Sequence, residues 1–143
     1  MKQFIPIILT LTSCLNSTTK QPINAMSIHE VGQKLTGHWK LISTETKDGE
    51  RITNSNPDRL EYYEFDGLKG VISEMTDNHD GTFSVPTCQP ACELKEKAHR
   101  KIIEYIGPAD QWELEIVGLS NDKLVLTNSK TRWTYERRII KNW

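Results

Sequence analysis

Long apolar runs are scarce in this chain. The one uncharged apolar stretch, Phe4 to Thr12, follows Lys2 at the amino terminus. It is too short to span a bilayer, which takes ~20 apolar residues. No later segment approaches that length, so nothing downstream crosses a membrane as an apolar helix. Sequence-legible catalysis is lacking too. No Gly-x-Ser-x-Gly, His-Glu-x-x-His or phosphate-binding glycine loop occurs, and the four histidines His29, His38, His79 and His99 are scattered along the sequence, with no neighbouring residue pattern that singles one out as a base. The chain therefore reads as a non-enzyme with no cofactor. Neither charge sign is in excess, with 18 basic against 19 acidic side chains. That balance gives no electrostatic reason to bind nucleic acid or anionic lipid head groups, both of which need clustered Lys and Arg, and no nucleic-acid partner is expected.

What is present begins at the amino terminus. A basic start followed by a short apolar middle is the layout of a signal peptide. Leu11-Thr12-Ser13-Cys14 closes the apolar run and resembles the lipobox of bacterial lipoproteins, in which the cysteine is acylated and becomes the new N-terminus. The resemblance implies that residues 1–13 are removed and Cys14 is lipidated, leaving 17 basic against 19 acidic side chains. Several acyl chains together anchor stably where one alone is marginal. Residues 14–26 are rich in Asn, Ser, Thr, Gln and Pro and read as a tether spanning ~20 Å as a coil. In lipoproteins sent to the cell surface of some bacteria an acidic run follows the cysteine. Asn16-Ser17-Thr18-Thr19 has none, so the resemblance implies the outer membrane of a bacterial envelope, facing the periplasm.

The remaining residues, 27–143, form one domain. Ser27-Ile28-His29-Glu30 has the form of a capping box, and Ile28, Val31 and Leu35 follow at helical spacing. A helix over 28–34 is too short to stand alone and is expected to plug one end of a sheet. From Thr36 onward, β-branched and aromatic runs alternate with turn signals, which predicts strands over 37–46, 59–66, 69–76, 82–85, 98–106, 111–117, 123–129 and 131–140. Eight short strands with brief connections indicate an all-β, antiparallel meander barrel or sandwich. Trp112, Leu114 and Ile116 alternate with Glu113 and Glu115, so one face there is buried. Leu124 to Thr127 is apolar on both faces, and the N-terminal helix is its candidate cover. Between Cys88 and Lys101, Leu94, Ala98 and Ile102 also recur at helical spacing, which leaves a helical turn as an alternative.

Gly37-His38-Trp39 follows the short helix and opens the first strand, and this resembles the Gly-x-Trp signature of the lipocalin barrel. Asp122 to Thr127 and Tyr135-Glu136-Arg137 are similar to the last two strands of lipocalin-like domains on bacterial lipoproteins. The resemblance implies an eight-stranded barrel in which Gly37 and Trp39 close the floor and a cation from the last strand, Arg137, lies across the indole. It also implies an open opposite end, with a rim near residues 47–58 and Cys88–Cys92, and an interior that binds a small apolar or amphipathic ligand. Tyr63, Phe65, Val71, Met75, Tyr105 and Leu114 are the candidate walls. The rival reading is a protein-interaction module or an inhibitor of an extracytoplasmic enzyme.

Cys88 and Cys92 stand four apart in a loop. In an oxidising compartment a disulfide is the default, and Cys14, consumed by lipid, leaves an even number. Free thiols and a metal site with His79 or His99 are the alternatives, the latter against a zinc pattern that normally shows two ligand pairs. Asp77-Asn78-His79-Asp80-Gly81 fails the register of a calcium loop, since Thr76 and Thr87 would fill its first and twelfth positions, and reads as a hairpin turn. No metal is expected. The carboxylate pairs Glu61 with Glu64 and Glu113 with Glu115 are available for acid–base work, but their strand spacing suggests otherwise, and Glu113 and Glu115, which alternate with apolar residues, read as a solvated face.

Overall fold

The computed structural model describes residues 21–53, 56–87, 89–107 and 111–141. The leader 1–13, Cys14, the first part of the tether and Cys88 lie outside the described residues. A 3-10 turn, Ile23–Ala25, precedes the helix α1 (Ile28–Leu35). The Ser27 hydroxyl oxygen accepts the Glu30 N–H at 3.2 Å, which satisfies one of the orphan donors of the first turn. Val31, Gly32 and Leu35 are buried on one side of the helix.

The chain then enters β1 (Gly37–Thr46), β2 (Arg51–Ile52), β3 (Arg59–Asp66), β4 (Lys69–Asp77), β5 (Phe83–Ser84), β6 (Ala91–Lys97), β7 (Arg100–Ile106), β8 (Gln111–Leu119), β9 (Lys123–Thr127) and β10 (Thr131–Arg138). The two-residue strands β2 and β5 add to β1 and β4. The other eight form an antiparallel meander in the order β1-β3-β4-β6-β7-β8-β9-β10, and β10 returns to β1 from His38↔Arg138 to Thr46↔Thr131. The result is a closed, lipocalin-like eight-stranded barrel with a short N-terminal helix, so no long sheet edge is left open.

Two strand assignments differ from the sequence reading. Residues 82–85 supply only Phe83–Ser84, and the eighth barrel strand is Ala91–Lys97, where a loop or helical turn was expected. Cys92 and Leu94 point into the core while Glu93 and Lys95 alternate outward, and pairing to both β4 and β7 overrides the helical spacing of Leu94, Ala98 and Ile102. Ala98 and His99 form the turn, at φ 48° and 64°, so the next strand starts at Arg100 rather than 98.

The helix end of the barrel is packed with apolar side chains. Val31, Leu35, Trp39, Leu94, Ile103, Ile116 and Leu124 are all at most 1% exposed. Met26, 3% exposed, belongs to the same core, so packed structure begins before the expected domain boundary at 27. In β9, Leu124 and Leu126 face the core while Val125 lies on the outside against Gly118. Pro22 and Ile23 line a small surface cavity together with Val125, whereas the helix expected to cover this strand packs on β3, β6 and β8. Among the described residues no helix is long and apolar enough to cross a membrane.

Candidate ligand site inside the barrel

Strand parity decides what lines the interior. Trp39 and Ile72 belong to the core, and their register partners carry the same face to Glu61 and Tyr63 on β3. Arg59, Glu61, Tyr63 and Phe65 therefore share the inner side of β3, with Glu74 opposite Glu61 on β4. Glu61 is 9% exposed and accepts three side-chain donors: Tyr63 OH at 2.8 Å, Arg59 Nη2 at 3.0 Å and Tyr135 OH at 3.3 Å. Arg59 Nη2 also reaches Glu74 at 3.2 Å, where the chain becomes exposed. Burial, followed by the Glu61 carboxylate, raises the hydroxyl pKa of Tyr63, Tyr105 and Tyr135 above the ordinary value of 10. All three hydroxyls are thus protonated donors at neutral pH. Arg59 Nε is buried and makes no hydrogen bond among the described residues. That leaves one donor available beside the carboxylate.

Above this cluster, Trp112 opens β8 and stacks on Tyr105 with ring centroids 3.5 Å apart and planes 8° from parallel. Trp112 is 48% exposed, so a large aromatic surface stands at the mouth instead of in the core that its alternation with Leu114 and Ile116 suggested. Leu41 and Trp133 pack partly buried against the core.

The opposite end is built differently. Trp39 Nε1 donates to Leu35 O at 2.8 Å, and the Arg137 guanidinium lies 4.1 Å from the Trp39 ring centroid. Arg137 donates to the carbonyls of Asn121 at 2.5 Å and Thr36 at 2.9 Å, and to Lys34 O. The last turn of α1, the floor indole and the final strand are joined by one cation. At Gly37 the backbone takes φ 133°, and an added Cβ would meet Arg137 Nη1 at 2.5 Å.

Of the six candidate wall residues, Tyr63, Tyr105 and Leu114 are buried in the interior. Phe65 also faces inward but lies across Gly70, where an added Cβ would sit 2.6 Å from its ring, so it fills the closed end. Val71 and Met75 are on the outer face, because Ile72 between them in parity faces the core. Met75 is nevertheless fully buried, as is its register partner Leu60 at 7% exposure. Cys92 is not on the rim. It pairs with Gly70 and Tyr105 in the wall, 2% exposed, and carries a free thiol. Among the described residues no group of three or more His, Cys, Asp or Glu could hold a metal.

The sequence reading missed Arg59, Glu61 and Tyr135. A signal existed, since Glu61 is two residues from Tyr63, already a candidate wall residue, and strand parity puts both on one face. Glu64, by contrast, is exposed on the outside.

No family model matches the chain, and no curated protein does. Among solved structures, a lipocalin-like protein from Bacteroides uniformis is similar at 16% identity and a TM-score of 0.49, over 73% of this chain and 99% of that one. A protein from Bacteroides eggerthii aligns at 13% identity and TM-score 0.49 with the same coverages. Lobster apocrustacyanin A1 aligns at 14% identity and TM-score 0.46, over 77% of this chain and 64% of that one.

Proposed function

We propose that this domain is a ligand-binding barrel, and that its interior takes a small amphipathic molecule from the mouth. The observation that carries this reading is the buried carboxylate Glu61, ringed by Tyr63, Tyr135 and Arg59, beneath a half-exposed Trp112. Interior polar networks cost desolvation that an apolar filling avoids, and local departures from a simple apolar core concentrate where function demands them. The ligand's apolar portion would lie along Trp112 and Tyr105, and an acceptor group would take the open Arg59 Nε donor. The connection between β1 and β3 lies at the same end by strand direction, so the mouth is bounded by polar turns.

Thermal shift with a panel of fatty acid, isoprenoid and haem-like compounds tests the reading, with tryptophan fluorescence as the second readout. A ligand at 100 times its dissociation constant stabilises by about 2.7 kcal/mol. The shift should be lost in Trp112→Leu and reduced in Glu61→Gln. Absence of any shift, or shifts unaffected by both substitutions, would move support to the protein-interaction reading.

The anchor belongs to the same proposal. Acylation at Cys14 would hold the barrel at the bilayer by its helix end, because the chain enters the domain beside α1. Fatty-acid labelling of the chain in a bacterial host should disappear in Cys14→Ala. Equal labelling of that variant would remove the anchor and the periplasm-facing envelope location with it.

A further inference from the structure

The outer wall of the barrel carries a cleft of about 780 Å3 between the end of β10 and the hairpin that follows β4. Ligand sites commonly occupy ~300–1,000 Å3, so its size suits a small molecule. The lining divides by chemistry. Leu60, Phe83, Val85 and Ile139 supply an apolar strip, with Val85 41% and Ile139 87% exposed. Lys40, Arg138 and Lys141 supply three cations, none of which has an ion pair among the described residues. Lys95, Lys97 and Arg100 on the β6–β7 wall are each matched by a glutamate within 2.7 Å.

Two carboxylates also line the cleft, and both are engaged by His79. Asp58 pairs with His79 Nε2 at 2.9 Å, and Asp77 accepts the His79 backbone N–H at 2.8 Å. The adjacent outer face is already apolar below the surface, since Leu60 and Met75 are register partners and both are buried. Apolar side chains beside cations that make no ion pair among the described residues match a ligand with an apolar chain and an anionic head.

We propose that this cleft binds a monomeric anionic amphiphile, with its carboxylate or phosphate head between Lys40 and Arg138 and its alkyl chain along Leu60, Phe83, Val85 and Ile139. This site is separate from the barrel interior and does not rest on it. Lys40 and Leu60 are cross-strand partners on the outer face, opposite in parity to Trp39 and Glu61.

The test is calorimetric titration of the full chain carrying Cys14→Ala with dodecanoate, dodecyl phosphate and dodecyltrimethylammonium, all below their micelle concentrations. Both anions should bind about ten-fold or more tighter than the cation of equal chain length. Lys40→Glu combined with Arg138→Glu should abolish that preference, and Trp112→Leu should leave it intact. Ile139→Asp changes a side chain that is almost fully exposed, so it should weaken both anions without altering the melting temperature. Equal affinity for all three head groups overturns the proposal, as does no binding at all. Loss of anion binding in Trp112→Leu with retention in the charge-reversed variant would place the amphiphile in the barrel interior instead. Co-sedimentation with phosphatidylglycerol vesicles in the absence of monomer binding would make the patch a membrane contact and overturn the monomeric site.

Discussion

Arg137 is held between an indole face and three carbonyl oxygens, and its burial lowers the guanidinium pKa from the ordinary value. Two of those carbonyls, at Lys34 and Thr36, belong to the end of α1, where backbone acceptors lack intrahelical partners. Arg137→Ala removes the cation over the ring and leaves these acceptors half-buried, and should cost about 2–3 kcal/mol. Urea denaturation measures it. A loss below about 0.5 kcal/mol would mean the contact is decorative. Arg137→Lys should recover only part, because an ammonium cannot spread donors over three carbonyls and stack at once. Cys92 is a second case in which position sets chemistry. Burial pushes its thiol up to about 12, so the thiolate that reacts is nearly absent at pH 8. Iodoacetamide should label Cys92 only after unfolding, and rapid labelling of the native chain would contradict this burial. The expected bridge to Cys88 likewise meets an inward-facing sulfur, which is free in this structure.

At the scale of elements, the junction of α1 with β1 depends on Gly37. Its φ of 133° is a conformation that side chains with a Cβ rarely adopt, and Arg137 Nη1 occupies the space a Cβ would take. Gly37→Ala should destabilise by about 2–4 kcal/mol from strain and displacement of Arg137 together. Equilibrium unfolding should show the loss, and a neutral result would show that the junction relaxes freely. The β6–β7 hairpin is secured on its outer face by Lys95 Nζ to Glu104 at 2.6 Å and Lys97 Nζ to Glu113 at 2.7 Å, over the buried Ile102. The hydrogen bond from Lys95 holds the Glu104 carboxyl below its ordinary pKa of 4.5. A carboxylate with a depressed folded pKa contributes stability that is present above the unfolded value and lost as pH falls through the folded one. The acid limb of the stability profile below pH 4.5 should therefore flatten in Glu104→Gln. An unchanged slope would locate acid sensitivity elsewhere. These elements were only partly legible. Strand existence followed from β-branched and aromatic runs, but β6 contains Glu93, Lys95, Glu96 and Lys97, and a wall with solvent on one side tolerates such charge.

The molecule as a whole closes through β1 and β10, which lie far apart in sequence, and its base reaches back before α1. Met26, 3% exposed, sits in the same core cluster as Leu119 and Leu124, and Ile23 packs on its edge. Met26→Ala should cost about 2–4 kcal/mol, as for other buried truncations, and a domain begun at residue 27 should unfold at lower denaturant than one begun at 21. Matching midpoints would return residues 21–26 to the tether.

The sequence by itself determined the class of fold: periodicity, turn residues and the Gly37-x-Trp39 opening are local, and they specified short antiparallel strands after a capped helix. It also contained the parity that aligns Glu61 with Tyr63, because side chains alternate along any strand. What the tertiary structure decided was which of the two faces is the inside, and at what height each residue sits. Val71 and Met75 are as apolar as Ile72, and nothing local tells them apart until β4 is registered against β3. Trp112, Leu114 and Ile116 share a face, yet only Trp112 reaches the mouth, because exposure depends on where a tilted strand begins in the closed barrel. The cleft beside Lys40 and Arg138 is likewise invisible along the chain. Its cations and apolar residues come from four separate stretches, brought together only when β10 pairs with β1 and the hairpin after β4 folds back over the outer wall.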